Sequence, residues 1–317
     1  MDFSADRQPI AGRLQALLGA QNVKAGELMS AHTTFKVGGP ADLFLTPESE
    51  EALIAAVHLL GAEGIPFFVL GNGSNVLVRD GGIRGAVLCV GQALGGIRTE
   101  GSEITAGAGE LLVSLSHAAA KAGLTGLEFA SGIPGSVGGA LYMNAGAYDG
   151  EMRDVVISAR VYDPAAQAVR QVQPEEMALG YRSSRFQAGD LLILSVTVRL
   201  TPGSEEQIRE KMRQLMEKRN AKQPVNMASA GSFFKRPPGQ YAGALIEQAG
   251  MKGYRVGGAM VSDKHAGFVV NTGGATAADV LAVMQAVQER VRETSGHWLM
   301  PEPAIIGEDH FADGNEN

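Results

Sequence analysis

The chain has 317 residues, 42 of them Gly and one Cys, and 27 basic against 34 acidic side chains leave a formal charge of −7. At roughly 150 residues per domain the length predicts two domains or three small ones, and a 45% hydrophobic share excludes wholesale disorder. The lone Cys89 excludes an internal disulfide and any Cys-rich zinc or iron–sulfur site, while the acidic balance argues against a protein that coats nucleic acid.

The opening MDFSADRQPI lacks a basic start before an apolar stretch, so no secretory signal is read there. No run nears the about 18 apolar residues of a membrane span, so a cytoplasmic protein is expected. In chain order, Glu48 to Leu60 reads as a helix, with Thr46 as cap, Pro47 at the first position and Leu53, Val57 and Leu60 on one face. Short strands are predicted at Phe67-Phe68-Val69-Leu70, Val76-Leu77-Val78 and Ala86 to Val90. Leu111 to Ala122 reads as a helix stopped by Gly123. Val155 to Val161 and Leu191 to Leu200 are β-branched strand candidates.

Ser204-Glu205-Glu206-Gln207 has the form of a capping box, opening a helix with Ile208, Met212, Leu215 and Met216 on one face. Its Lys211, Arg213, Lys218 and Arg219 alternate with acids, which predicts a solvated face. A second long helix is predicted from Ala277 to Arg292, capped by Thr276 and ended by Ser295-Gly296, and the tail after Glu308 reads as loose. Irregularly mixed strands and helices predict an α+β fold with its main boundary at Thr201-Pro202-Gly203.

Several chemistries are excluded by what is missing. No Gly-Lys pair occurs, so there is no phosphate loop of the Walker type, and neither G-x-S-x-G nor H-E-x-x-H is present. The six His residues are scattered, and no metal site is expected. What remains is two Gly-rich loops, Gly71-Asn72-Gly73-Ser74-Asn75 and Gly132-Ile133-Pro134-Gly135-Ser136-Val137-Gly138-Gly139. Each alone could be a tight turn; together, beside apolar strands, they favour a nucleotide cofactor whose pyrophosphate is met by backbone N–H groups. On local grounds Arg182 reads as a surface arginine and Ser232 as a turn residue. Glu302 is less ordinary, because Pro301 and Pro303 stiffen the backbone around its carboxylate.

The run His32-Thr33-Thr34-Phe35-Lys36-Val37-Gly38-Gly39-Pro40-Ala41 and both Gly-rich loops resemble the UDP-N-acetylenolpyruvoylglucosamine reductase family. So do Tyr142 to Tyr148, Gly231-Ser232-Phe233-Phe234-Lys235, Ala242 to Gly250 and Ser262 to Phe268, and the match runs from about Ala31 to Gly307. With no Tyr between Asp190 and Ala230 the chain is similar to the branch that lacks an inserted tyrosine lid. It departs from the family pattern in having Arg at 236, where Asn is common, and in its Leu299-Met300-Pro301-Glu302-Pro303-Ala304 ending.

The resemblance implies a vanillyl-alcohol-oxidase-type (p-cresol-methylhydroxylase-type) FAD fold with a separate C-terminal α+β substrate domain. A first FAD subdomain would span 1–85, joined by the chain end at about 298–317; a second would span 86–202, and the substrate domain 203–297. It implies non-covalent FAD, NADPH as hydride donor, and reduction of UDP-N-acetylglucosamine enolpyruvate to UDP-N-acetylmuramate in peptidoglycan synthesis. No nucleic acid, membrane insertion or obligatory protein partner is implied. Arg182, Ser232 and Glu302 fall on the catalytic positions. Arg182 and a protonated Glu302 would stabilise charge on the substrate carboxylate, and Ser232 would give a proton to the α-carbon. Tyr148, Lys235 and Arg236 are substrate-binding candidates. Two alternatives remain open: another FAD-dependent oxidase or dehydrogenase on the same fold, or a catalytically inactive nucleotide-binding module.

Overall fold

The computed structural model describes residues 7–309. Its first layer is a four-stranded sheet in the order Val23–Leu28, Pro40–Leu45, Ile83–Cys89, Phe67–Leu70, antiparallel at the first pairing and parallel at the other two. Strand residues alternate between two cores. Leu43, Leu45 and Leu88 pack with Leu53, Val57 and Leu60 of the helix Glu50–Ala62, while Phe44 and Val87 face the opposite side. Both faces being covered explains why these strands read as continuous apolar runs. The helix begins later than Thr46-Pro47 suggests. Ser49 is the cap, its side chain accepting a bond from the Ala52 N–H at 3.1 Å, and Thr46 instead bonds back toward Asn22.

The second layer is a five-stranded antiparallel sheet, ordered Ala168–Val172, Val156–Asp163, Leu192–Arg199, Glu103–Gly107, Ile97–Glu100. The helices Leu112–Lys121 and Val137–Tyr142 bury Leu112, Leu115, Val137 and Leu141 against it. Gly123 follows the first of these at φ +66°, the left-handed stop expected of a helix-terminating glycine. Tyr162, Leu192 and Leu194 leave this sheet's own core and join the core under Glu50–Ala62. The two layers are thereby packed against one another through a shared core.

From Arg199 the chain reaches the helix Glu205–Lys222 within a few residues, with no inserted lid. Ser204 occupies the cap position, but its side chain makes no cap bond. The capping box therefore does not form; the stretch 201–207 is exposed, and water can serve the first N–H groups. Beyond it, a small antiparallel sheet (Ala228–Ser229, Val269–Asn271, Ala259–Val261, Arg255–Val256) carries the helices Ala242–Gln248 and Ala277–Ser295. Here the capping box is complete: Thr276 and Asp279 exchange side-chain and backbone bonds at 3.1 Å.

This last unit is pinned to the first at three places. Phe35 is fully buried in its core, edge-on to Phe233 at 6.2 Å. Asp80 accepts the N–H groups of Ala277 and Ala278 at 2.7 and 2.8 Å, opposite the positive end of the long helix. Finally the chain returns: Ala304–Ile306 pairs in parallel with Val76–Val78. The expected loose tail lies almost wholly outside the described residues.

Candidate active site

The Gly-rich loops open at Gly71 and Gly132 in the sequence and are adjacent in space. The Asn72 side-chain amide donates to the Pro134 carbonyl at 2.6 Å. At Gly71 an added Cβ would lie 2.3 Å from Ser136 Oγ, and at Gly73, with φ +61°, it would lie 2.1 Å from the His32 carbonyl oxygen. A side chain at Gly71 would push the two loops apart, and one at Gly73 would push the first loop off the His32 segment. They line a cleft of about 930 Å³.

Not every N–H of the second loop is free for a ligand. Those of Ile133, Val137 and Gly138 bond to the carbonyls of Ala130, Glu110 and Ala108, and that of Gly139 bonds to Ser136 Oγ, the cap of its helix. Val137 is a core residue, and neither it nor Gly132 lines the cleft. The cradle formed by Gly71 to Asn75 together with Gly135 and Ser136 nevertheless fits a pyrophosphate: it is glycine-rich, open on one side, and bears no acidic side chain.

Arg182, Ser232 and Glu302 line the same cleft. Arg182 sits in a tight turn closed by reciprocal bonds between Gly180 and Ser183 at 3.0 and 3.2 Å, in a left-handed conformation (φ +51°) that a non-glycine residue adopts at a cost. Its Nε donates to Glu302 Oε1 at 2.8 Å and its Nη2 to the Gly146 carbonyl at 3.0 Å. The Tyr181 ring lies 5.2 Å from the guanidinium.

Glu302 is held by backbone as well. Its N–H donates to Phe233 O at 2.9 Å, the Lys235 N–H donates to Met300 O at 2.8 Å, and the Ala304 N–H donates to Asn75 O at 3.0 Å. The returning strand is thus clamped between the Ser232 segment and the first Gly-rich loop. The Glu302 side chain is only 13% exposed. Burial raises its carboxyl above the ordinary value, and the charges of Arg182 and Lys235 oppose that rise without cancelling it.

Ser232 is exposed to the cleft between buried Ala230 and Phe233, after Gly231 at φ +77°. Phe233 N–H donates to Gly267 O at 2.8 Å, so the backbone is fixed and only the hydroxyl is open. Of the other candidates, Arg236 lines the cleft with its guanidinium 4.6 Å from the Tyr241 ring centre. Lys235 acts on the Glu302 carboxyl but does not line the cleft, nor does Tyr148, whose exposed ring neighbours Arg219.

Lys211, Arg213 and Lys218 lie on the expected solvated helix face, and Arg219 is the exception. It lines the cleft with its Cδ about 3.0 Å from where a Cβ on Gly132 would stand, and burial lowers its pKa. Lys222 and Lys264 line the same wall. No local signal marks Arg219: the glycine that leaves room for it, Gly132, is 87 positions away. Among the described residues no cluster of three or more His, Cys, Asp or Glu could hold a metal ion.

The FAD binding domain family model matches residues 41–171, and the model of the UDP-N-acetylenolpyruvoylglucosamine reductase C-terminal domain matches residues 223–306. A UDP-N-acetylenolpyruvoylglucosamine reductase of Clostridium tetani is 48% identical over 292 residues, covering 92% of this chain and 94% of that one. One of Caldanaerobacter subterraneus subsp. tengcongensis is 46% identical over 299 residues, covering 94% and 98%. The crystal structure of the Thermus caldophilus reductase superimposes with a TM-score of 0.76 at 40% identity, over 89% of this chain and 98% of that one. Similarity of this extent embraces both Gly-rich loops and the returning strand, and the chain belongs to the UDP-N-acetylenolpyruvoylglucosamine reductase family of FAD-dependent oxidoreductases.

Proposed function

We propose that this chain uses NADPH to reduce UDP-N-acetylglucosamine enolpyruvate to UDP-N-acetylmuramate, in the cytoplasm, as a step of peptidoglycan synthesis. The observation that carries the reading is the Arg182–Glu302 pair facing the same cleft as Ser232 and the two Gly-rich loops. No helix among the described residues is long and apolar enough to cross a membrane. The reading keeps two flavin subdomains and a substrate domain, 203–297, but the expected boundary between 1–85 (with the chain end) and 86–202 would cut the strand Ile83–Cys89, which belongs to the first sheet, so the first subdomain extends through Cys89.

Gly71 to Asn75, with Gly135 and Ser136, would hold the FAD pyrophosphate; bound FAD supplies the hydride that the enolpyruvyl methylene carbon receives. The chain's own residues handle the charge and the proton. As negative charge develops toward the substrate carboxylate, the Arg182 guanidinium and a protonated Glu302 meet it with charge-assisted and short hydrogen bonds. Ser232 then donates a proton to the α-carbon. A serine is a weak acid, so the acceptor must be strongly basic, and the nearby Lys235 cation lowers the cost of the alkoxide. Arg236, Arg219, Lys222 and Lys264 supply positive charge for the substrate diphosphate, with Tyr148 beside Arg219. A flavin oxidase would have no use for the Ser232 hydroxyl, which is the reason to prefer the reductase.

The reading predicts yellow protein bleached by NADPH and recoloured by the enolpyruvyl sugar nucleotide; protein that NADPH bleaches but this compound leaves colourless would refute it. Flavin attachment is expected to be non-covalent, since neither Gly-rich loop carries a cysteine or a histidine to which the flavin could be joined. Acid precipitation should release all the flavin into the supernatant, and colour left on the polypeptide would contradict this. Gly135→Asp tests the cradle. A Cβ there meets nothing closer than Ser74 Oγ at 3.6 Å, so the substitution fits and acts through charge. A carboxylate beside a pyrophosphate should weaken flavin retention by about tenfold or more, even with the repulsion partly screened. Flavin content per protein, read from absorbance after gel filtration, measures it.

A further inference from the structure

We infer that Asn144 is a positioning residue that sets the Arg182 turn; the kinetic part of this rests on the function proposed above. Asn144 is completely buried and itself left-handed, at φ +42°, a conformation that Asn tolerates better than most side chains. It stands just past the helix Val137–Tyr142, whose N-terminus forms part of the second Gly-rich loop.

Its amide is fully used. Nδ2 donates to the Gly180 carbonyl at 2.9 Å and to Glu151 Oε2 at 3.0 Å, and Oδ1 accepts the Arg153 N–H at 2.8 Å. The two acceptors and one donor around it fix which end of the amide is nitrogen. Gly180 opens the turn that carries Arg182, and Gly146, two residues beyond Asn144, receives Arg182 Nη2. One loop therefore holds the arginine at both its backbone and its tip. It does so from the end of the helix that builds the cofactor cradle, and it registers the guanidinium against Glu302 on the returning strand.

No other side chain replaces this set. Asp would offer no donor to two acceptors and would set a second carboxylate against Glu151, while Gly keeps the backbone conformation and forgoes all three bonds. The side chain is not part of the cleft lining and bonds only to Glu151, Gly180 and Arg153, so among the proposed catalytic groups its hydrogen bonds lead to Arg182.

The test uses flavin-loaded Asn144→Asp and Asn144→Gly. Crystal structures of both should show the hydrogen bond from Arg182 Nε to Glu302 Oε1 broken or stretched past bonding distance; the wild-type hydrogen bond retained in both overturns the inference. In stopped flow, bleaching by NADPH should stay within about 2-fold of wild type. Recolouring by the enolpyruvyl sugar nucleotide should slow by about tenfold or more, within the 10²-fold that a misplacement of about 1 Å can cost. In an Arg182→Ala background the same substitutions should change recolouring by no more than about 2-fold, because the group they act through is gone. Undiminished slowing in that background, or loss of flavin from both variants, assigns Asn144 a general structural role and overturns the inference. Should wild-type protein fail to be recoloured at all, the proposed function fails, and the crystal structures still decide whether Asn144 places Arg182.

Discussion

Ser232→Ala is expected to leave flavin reduction by NADPH close to wild type and to slow reoxidation by UDP-N-acetylglucosamine enolpyruvate at least about 10²-fold, the lower range for losing a general acid. The asymmetry follows from where the residue sits. Its neighbours, not its hydroxyl, hold the backbone: Ala230 and Phe233 are buried, the Phe233 N–H is bonded to Gly267 O, and Glu302 N–H is bonded to Phe233 O. Alanine therefore fits without moving the returning strand or the Gly-rich loops. Hydride transfer from NADPH needs no proton at the substrate carbon, whereas completing the enolpyruvyl reduction does. Stopped-flow absorbance of the flavin follows both halves on one sample. Equal slowing of the two, or of neither, would remove Ser232 from the proton-donor role.

What the sequence discloses about this site divides by range. Elements whose signals are local are legible: the Thr276 helix cap, the Gly123 stop, and the strands Phe67–Leu70 and Leu192–Arg199 each depend on residues a few positions apart. Local signals also compete. Thr46-Pro47 and Ser49 both qualify as helix starts, and the winner is the one whose hydroxyl reaches an N–H three residues on. The proposed catalytic constellation is not local at all. Arg182 and Glu302 are 120 residues apart, and nothing in Gly180-Tyr181-Arg182-Ser183 distinguishes a half-buried, paired guanidinium from a surface one. Resemblance to the family picks these residues out; periodicity does not. Arg219 shows the opposite error, a cation in a polar helical pattern that turns inward because Gly132 leaves room for it. Asp80 at the start of Ala277–Ser295 and Phe35 in the C-terminal core are likewise matched across nearly 200 residues or more. Pairings of that separation are chosen by the packed fold, and no window on the sequence contains both partners.

Glu302→Ala should share the asymmetry of Ser232→Ala, with reoxidation slowed on the order of 10² to 10³-fold by the loss of a donor to developing charge. Glu302→Gln separates the carboxyl's hydrogen bond from its ionisation. Burial raises the Glu302 pKa above its ordinary 4.5 against the pull of Arg182 and Lys235, and an arriving substrate carboxylate, drawing on the same guanidinium, raises it further. If the neutral acid is the working form, reoxidation in wild type falls as pH rises through that raised pKa. The NADPH half lacks this limb. Glutamine cannot ionise, so the limb should vanish in Glu302→Gln, whatever its absolute rate.

The same shift has a sign in stability. A carboxyl that holds its proton longer in the folded chain than in the unfolded one contributes a penalty that is absent below pH about 4.5 and grows as pH rises through the folded pKa. The melting temperature of Glu302→Gln relative to wild type should therefore increase with pH across that window, on top of a constant offset from the missing pairing with Arg182. A relative melting temperature that stays flat with pH would mean that Glu302 ionises at its ordinary pKa, and one that falls would mean that it ionises below it. The carboxylate would then serve as the fixed partner of Arg182 rather than as a donor to the substrate.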